Sequence, residues 1–151
     1  MKKLTLIFVT VCIACTLSAQ TLTMAQVPAA VAHAYQVKFP GGSQPGWTLA
    51  GPDIYEVHFF NGKKRQSALF DKSGNWKDTE TEINYNALPA KVQRAFETEF
   101  EGYRVQEVYE LETPDKGIFY ELTAFKGAKN FAALFSPKGE LLQKEEGETA
   151  E

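Results

Sequence analysis

Cysteine is almost absent from this sequence of 151 residues, and both copies, Cys12 and Cys15, fall within the first fifteen positions. No disulfide framework can therefore link later segments of the chain. The sequence also has no excess of basic residues and no apolar run long enough for a comfortable membrane-spanning helix. With 44% hydrophobic and 23% charged residues, the composition is typical of a globular protein whose core is held by packing alone.

Histidine is equally scarce, since only His33 and His58 occur. We place His33 on the exposed side of a helix, and no third ligand at metal-binding spacing accompanies His58 and its neighbour Glu56. No nucleophile, base and orienting residue can be assembled from the spacing, and no glycine-rich phosphate loop follows a predicted strand. The sequence therefore predicts a protein that is not an enzyme, holds no metal and uses no cofactor.

The first residues are typical of a secretory signal peptide spanning 1–19. Two lysines precede an apolar stretch from Leu4 to Cys15, and small residues allow cleavage after Ala19, with Ala25 as an alternative. We therefore expect a periplasmic or secreted protein with a short linker over 20–26. Lipidation of Cys15 is the weaker alternative and the one route by which we expect contact with a membrane.

Net charge argues against nucleic acid as a partner. Removal of the signal peptide leaves 14 basic against 19 acidic residues, whereas a nucleic-acid-binding domain shows a basic patch or stripe. Part of the acidic excess lies in a predicted tail over 147–151, to which we assign no function.

An internal repeat organises the rest of the chain. Residues 27–41 match 88–102 at an offset of 61, and residues 55–81 match 120–146 at an offset of 65 with ten identities. Average composition would give roughly two identities over such a length by chance. We therefore predict a tandem duplication, with repeat 1 over 27–85 and repeat 2 over 86–146.

Each copy is predicted to be a helix followed by about four antiparallel strands. Pro28 and Pro89 suit the first turn of a helix, and an apolar stripe at spacings of three and four follows each of them. Alternation from Ile54 to Phe60, with the hairpin signal Asn61-Gly62 after it, indicates strands joined by a tight turn. The fold class is therefore α+β, with both helices packed on one face of a curved sheet.

The segments that carry this pattern resemble a known family. Tyr55 to Lys63 and Leu69 to Trp76, echoed at Tyr120 to Ala128 and Leu134 to Leu141, resemble the PepSY-like family of proteins assigned to the periplasm, which is common in Bacteroidetes. The resemblance implies a fold related to the beta-lactamase inhibitory protein, itself a tandem repeat of helix and antiparallel sheet. That relative uses disulfides, which the mature chain here lacks.

Candidate binding residues are large or charged side chains that we place on the sheet face opposite the helices. Aromatic anchors and repeated carboxylates on a rigid sheet are typical of binding surfaces. There are structural alternatives for both kinds of residue. The aromatic side chains could pack at strand edges or under loops, and the glutamates could pair across strands with lysines such as Lys64 and Lys129. The candidates are Trp47, Glu56, His58, Phe60, Trp76, Glu121 and Phe125.

The resulting functional hypothesis is a non-catalytic exported module that binds a protein or peptide of the cell envelope on its open sheet face. Inhibition of an envelope hydrolase is one form that such binding could take. The alternative is a carrier or sensor of a small molecule or metal that uses a groove between the two repeats.

Overall fold

The computed structural model describes residues 21–147. The predicted signal peptide, both cysteines and the tail after Gly147 lie outside the described residues. Within residues 21–147, neither helix is long and apolar enough to cross a membrane.

Two helices and nine strands make up the described part of the chain, with short 3-10 turns at Met24–Gln26 and Tyr85–Ala87. The elements in chain order are β1 (Thr21–Leu22), α1 (Ala29–Lys38), β2 (Gly42–Gly51), β3 (Ile54–Asn61), β4 (Lys64–Asp71), β5 (Trp76–Glu82), α2 (Ala90–Glu99), β6 (Arg104–Thr113), β7 (Gly117–Lys126), β8 (Lys129–Phe135) and β9 (Leu141–Glu146). The prediction of an α+β protein with two helices and an antiparallel sheet is confirmed.

The two helices begin and end in the same way. Pro28 and Pro89 precede them with φ of −55°, a value that proline fixes and that suits helix entry, where its missing N–H costs nothing. Each helix closes on a phenylalanine: the N–H of Phe39 donates to Tyr35 O at 2.8 Å, and that of Phe100 donates to Phe96 O at 2.9 Å.

All nine strands form one sheet in sequence order, and every neighbouring pair is antiparallel. Strands β2 to β5 follow α1 and strands β6 to β9 follow α2, so the sheet continues through the pairing of β5 with β6. Strand β1 falls in the stretch predicted to be a linker. It pairs with β2 through Leu22 opposite Trp47, and Leu22 is buried there.

Both helices pack on the same face of the sheet, as predicted. Val57 lies opposite Ala68, which lies opposite Thr79, and the register continues across β5 to Glu112. Because directly opposed residues share a face, the core beneath α1 and the core beneath α2 lie on one side. The first core contains Val31, Tyr35, Phe39, Trp47, Val57, Phe59 and Phe70. The second contains Val92, Phe96, Phe100, Val108, Leu122, Phe131 and Phe135.

Two glycines hold the turns after β4 and β8 close to the helices. Gly74 and Gly139 have φ of +83° and +84°, a region that side chains with a Cβ rarely adopt. A Cβ would come within 2.6 Å of Ala30 O at Gly74, and within 2.5 Å of Lys91 O at Gly139. Each turn therefore lies directly against the backbone of its helix.

Candidate functional site

The side of the sheet opposite the helices is called the open face below. Among the described residues, alternate positions of β3 to β9 point to it. Cross-strand rows on this face run from Glu56 through Leu69 to Asp78, and from His58 through Ser67 to Glu80. A third row joins Glu82, Tyr109, Glu121, Leu134 and Gln143.

Five of the seven predicted binding residues lie on the open face. Glu56, His58 and Phe60 project from β3, and Glu121 and Phe125 project from β7, in register with open-face neighbours on adjacent strands. Phe60 and Phe125 are 39% and 37% exposed. The structure therefore offers both rings to solvent at one end of this face.

Trp47 is not on the open face, and its predicted role as an exposed anchor is wrong. It lies opposite Val57, so it points toward α1, and only 2% of it is exposed. Its ring packs edge-on against Tyr35 with centroids 5.5 Å apart. Trp47 is a core residue beneath the first helix.

Trp76 also lies on the helix side, contrary to the prediction. Simple alternation along β5 would put it on the same face as Asp78, but a bulge makes Lys77 an extra residue and sets Trp76 opposite Phe70. Its indole Nε1 donates to Asp78 O at 2.6 Å and to Thr79 Oγ1 at 2.9 Å. Lys38 Nζ lies 3.3 Å from its ring centroid, a cation–π contact that covers the indole.

Glu56 and His58 form a pair within one strand. His58 Nε2 lies 3.3 Å from Glu56 Oε1, and Thr48 Oγ1 donates to Glu56 Oε2 at 3.3 Å. The contact with His58 lowers the pKa of Glu56, and the same contact raises the pKa of His58. The carboxylate is thus satisfied by neighbours other than Lys64, which lies opposite Asn61 at the hairpin end.

Three further carboxyl groups form the chemical centre of the open face, and sequence reasoning missed two of them. We call Asp78, Glu80 and Glu121 the carboxylate strip. Burial raises the pKa of Asp78 to about 6, with Glu56 adding repulsion. Burial, followed by repulsion from Asp78 and Glu56, raises the pKa of Glu80 to about 7.

Glu121 is the most enclosed member of the strip. It is 8% exposed, and burial followed by repulsion from Glu80, Glu145 and Glu107 raises its pKa to about 7. Glu121 and Glu80 lie one row apart on either side of strand β6, or roughly 12 Å at the usual strand spacing and rise per residue. Each therefore meets the other as a like charge across Leu111 and Tyr109.

Apolar side chains form the floor between these carboxyl groups. Leu111 is 2% exposed although it belongs to neither helix-side core. Its row neighbours are Glu80 on one side and Phe119 on the other. Tyr109, Phe119 and Leu134 are half-buried around it. The sequence signal for the strip is the alternation of Asp78, Glu80 and Glu82 along β5. The pairing of β5 with β6 is needed to show that these acidic side chains lie beside apolar residues.

The alternative hypothesis, a small-molecule or metal site in a groove between the two repeats, stays a prediction. In the part of the chain that the structure describes, no group of three or more His, Cys, Asp or Glu side chains is arranged to hold a metal ion. An open depression of about 320 Å³ lies in the second half, on the helix side near the end of α2. It is lined mainly by Tyr85, Phe96, Phe100 and Tyr103, together with Glu97 and Glu101.

Comparison with known proteins agrees with this architecture. The profile of the family described as beta-lactamase-inhibitor-like, PepSY-like matches residues 53–143, more than half of the chain. A BLIP-like protein from Bacteroides fragilis has a similar structure, with 28% identity, a TM-score of 0.71, and coverage of 79% of this chain and 86% of that chain.

Two less similar structures share the fold. A protein from Bacteroides eggerthii, named as a candidate periplasmic protein, is 23% identical with a TM-score of 0.75 over 80% of this chain and 88% of that one. A DUF2874 family protein from Bacteroides uniformis is 22% identical with a TM-score of 0.74 over 79% and 88%. No curated protein sequence matches the chain.

Proposed function

The chain belongs to the PepSY-like family of beta-lactamase-inhibitor-like proteins, and from that premise we propose that it is an exported, non-catalytic module that binds a protein or peptide on its open sheet face. Inhibition of an envelope hydrolase is the form of binding that the inhibitor-like fold suggests. The proposal rests on the site, because a fold alone does not define a function.

The observation that carries the proposal is the composition of the open face. Both helices cover one side of the sheet, while the other side presents an apolar floor around Leu111, half-buried carboxyl groups and the exposed rings of Phe60 and Phe125. Aromatic anchors and a desolvated centre with a polar rim are the usual parts of a protein interface. A rigid antiparallel sheet holds these side chains in fixed relative positions.

Export through a signal peptide over 1–19 is part of the proposal and places the partner in the cell envelope. Cleavage after Ala19 leaves β1 intact, whereas cleavage after Ala25 would remove the strand that packs Leu22 beside Trp47. We therefore favour Ala19 as the end of the signal peptide. Mass spectrometry of the N-terminus of the exported protein would decide between the two sites.

We also propose that the two halves arose by tandem duplication. The sequence register at offsets of 61 and 65 is matched by equivalent backbone details, including the paired helix-entry prolines and the left-handed glycines Gly74 and Gly139. Duplication supplies two copies of each open-face position. The two copies are then free to diverge into one asymmetric surface.

Site-specific photo-crosslinking in the producing cell would test binding on this face. A photoreactive phenylalanine analogue at Phe60 or Phe125 should capture an envelope protein. The same analogue at Val37, which is 67% exposed on α1, is the matched control on the opposite side. Crosslinks that form only from Val37, or from all three positions alike, would contradict the proposal.

A further inference from the structure

Glu121 is a buried acid that no neighbouring group neutralises. It is 8% exposed, and within residues 21–147 its carboxylate has no hydrogen bond and no ion pair. Its counterpart at an offset of 65, Glu56, has His58 as a partner. The residue equivalent to His58 is Thr123, and Thr123 Oγ1 is already occupied as the acceptor for Glu107 N at 3.1 Å.

The charged groups that face Glu121 from the packed strands are acidic. Glu80 projects from β5, Glu107 from β6 and Glu145 from β9, and all three repel its charge. Tyr109 and Leu134 flank it in the same row. An isolated buried charge is costly unless an opposite charge accompanies it, so a cation supplied by a ligand would stabilise the ionised form of Glu121.

The cations on the open face are committed elsewhere or distant. His58 pairs with Glu56, and Arg65 Nη1 lies 3.3 Å from Glu82 Oε2. Arg104 lies opposite Phe125, four residues along β7 from Glu121, or roughly 13 Å at the usual rise per residue. His58 also acts on Glu80 and lowers its pKa, but within residues 21–147 no cation is among the groups that act on Glu121.

Resting on the proposed function, we infer that the carboxylate strip binds a lysine or arginine of an extended basic peptide segment, with Glu121 as the contact for the cation. The aliphatic stem of such a side chain would lie on the apolar floor of Leu111, Tyr109 and Leu134, while its charged end reaches the carboxylates. Glu80 would take a second basic residue of the same segment across β6.

The acid chemistry of the strip agrees with this assignment and adds a pH dependence. A bound cation favours the ionised form of Glu121 and lowers its pKa. Peptide binding near neutral pH should therefore release protons, and affinity should rise as pH increases from about 5 to about 8. A divalent metal is a poorer fit, because it requires several oxygen ligands around one point.

Fluorescence anisotropy with a short labelled peptide, in which lysine alternates with valine, tests the inference on the mature protein at low salt. The peptide should bind, and Glu121→Gln should weaken it by about tenfold or more, which corresponds to at least ~1.4 kcal/mol. The double variant, in which Glu80→Gln is added to Glu121→Gln, should bind the peptide more weakly still. Glu112 is an exposed carboxylate of the intervening strand β6 that faces the helix side, and Glu112→Gln should leave the affinity unchanged.

Several outcomes would overturn the inference. These are no binding of the lysine peptide to the unaltered protein, equal binding of the matching glutamate peptide, equal affinity in Glu121→Gln, or complete displacement by millimolar Ca²⁺ with saturable metal binding. Failure here is distinguishable from failure of the proposed function. If crosslinks from Phe60 persist in Glu121→Gln and in high salt, the proposal that the open face is a binding surface stands. Only the inference that its ligand is basic is then refuted.

Discussion

Replacing Glu121 by glutamine should stabilise the protein, and the gain should depend on pH. The folded state raises the pKa of this carboxyl from 4.5 to about 7. As pH rises, this carboxyl therefore ionises first in the unfolded chain. The free energy of unfolding begins to fall above pH 4.5, and the decrease is complete above pH 7. Since one pKa unit corresponds to about 1.4 kcal/mol, the ionised carboxyl costs the folded state about 3 kcal/mol at pH 8.

Urea denaturation of the unaltered protein and Glu121→Gln at about pH 4.5 and pH 8 would measure this effect. The difference in the free energy of unfolding should be under about 0.5 kcal/mol at the lower pH and about 3 kcal/mol in favour of glutamine at the higher pH. Glu112→Gln serves as the control and should show no such increase. A difference that is the same at both pH values would refute the reasoning that Glu121 carries a buried, unneutralised charge.

Three other predictions concern the elements that support this face. Gly74→Ala should lower stability by at least about 1 kcal/mol more than Gly62→Ala, because both have positive φ but only the first meets a helix carbonyl; urea midpoints would show this. Trp47→Ala should cost about 3–5 kcal/mol as a core truncation, and a cost under about 1 kcal/mol in the same assay would contradict its burial. In an NMR titration, Glu56→Gln should lower the pKa of His58, which the carboxylate raises; an unchanged midpoint would argue against the pair.

The sequence predicts helices and strands here because each element has a clear period. The 3.6-residue stripe of α2 and the two-residue alternation of β3 both read directly as local structure. Glycine, proline and asparagine mark the boundaries between these elements. The signal is local, so it establishes which residues form a strand and how they alternate along it.

Local alternation cannot establish which side chains meet across strands. Trp76 was assigned to the wrong face because a bulge at Lys77 reverses the alternation, and no residue type announces that bulge. Trp47 lies in a strand whose core-facing side depends on pairing with Val57. The place of Asp78 and Glu80 beside Glu121 was missed for the same reason, since residues of β5 and β7 are far apart in sequence and meet only through the register of β5, β6 and β7.

The residue two positions further along each strand explains why the two equivalent glutamates differ. Glu56 has His58 beside it in β3 as a partner. Glu121, like Glu56, lies two strands from β5, which brings Glu80 to within one intervening strand. Thr123 replaces the imidazole there and binds the backbone instead. Joining two similar halves edge to edge thus concentrates negative charge at the junction, a surface that neither half could form alone. Loss of lysine-peptide binding in Glu80→Gln as well as in Glu121→Gln would be the mark of a site built from both halves.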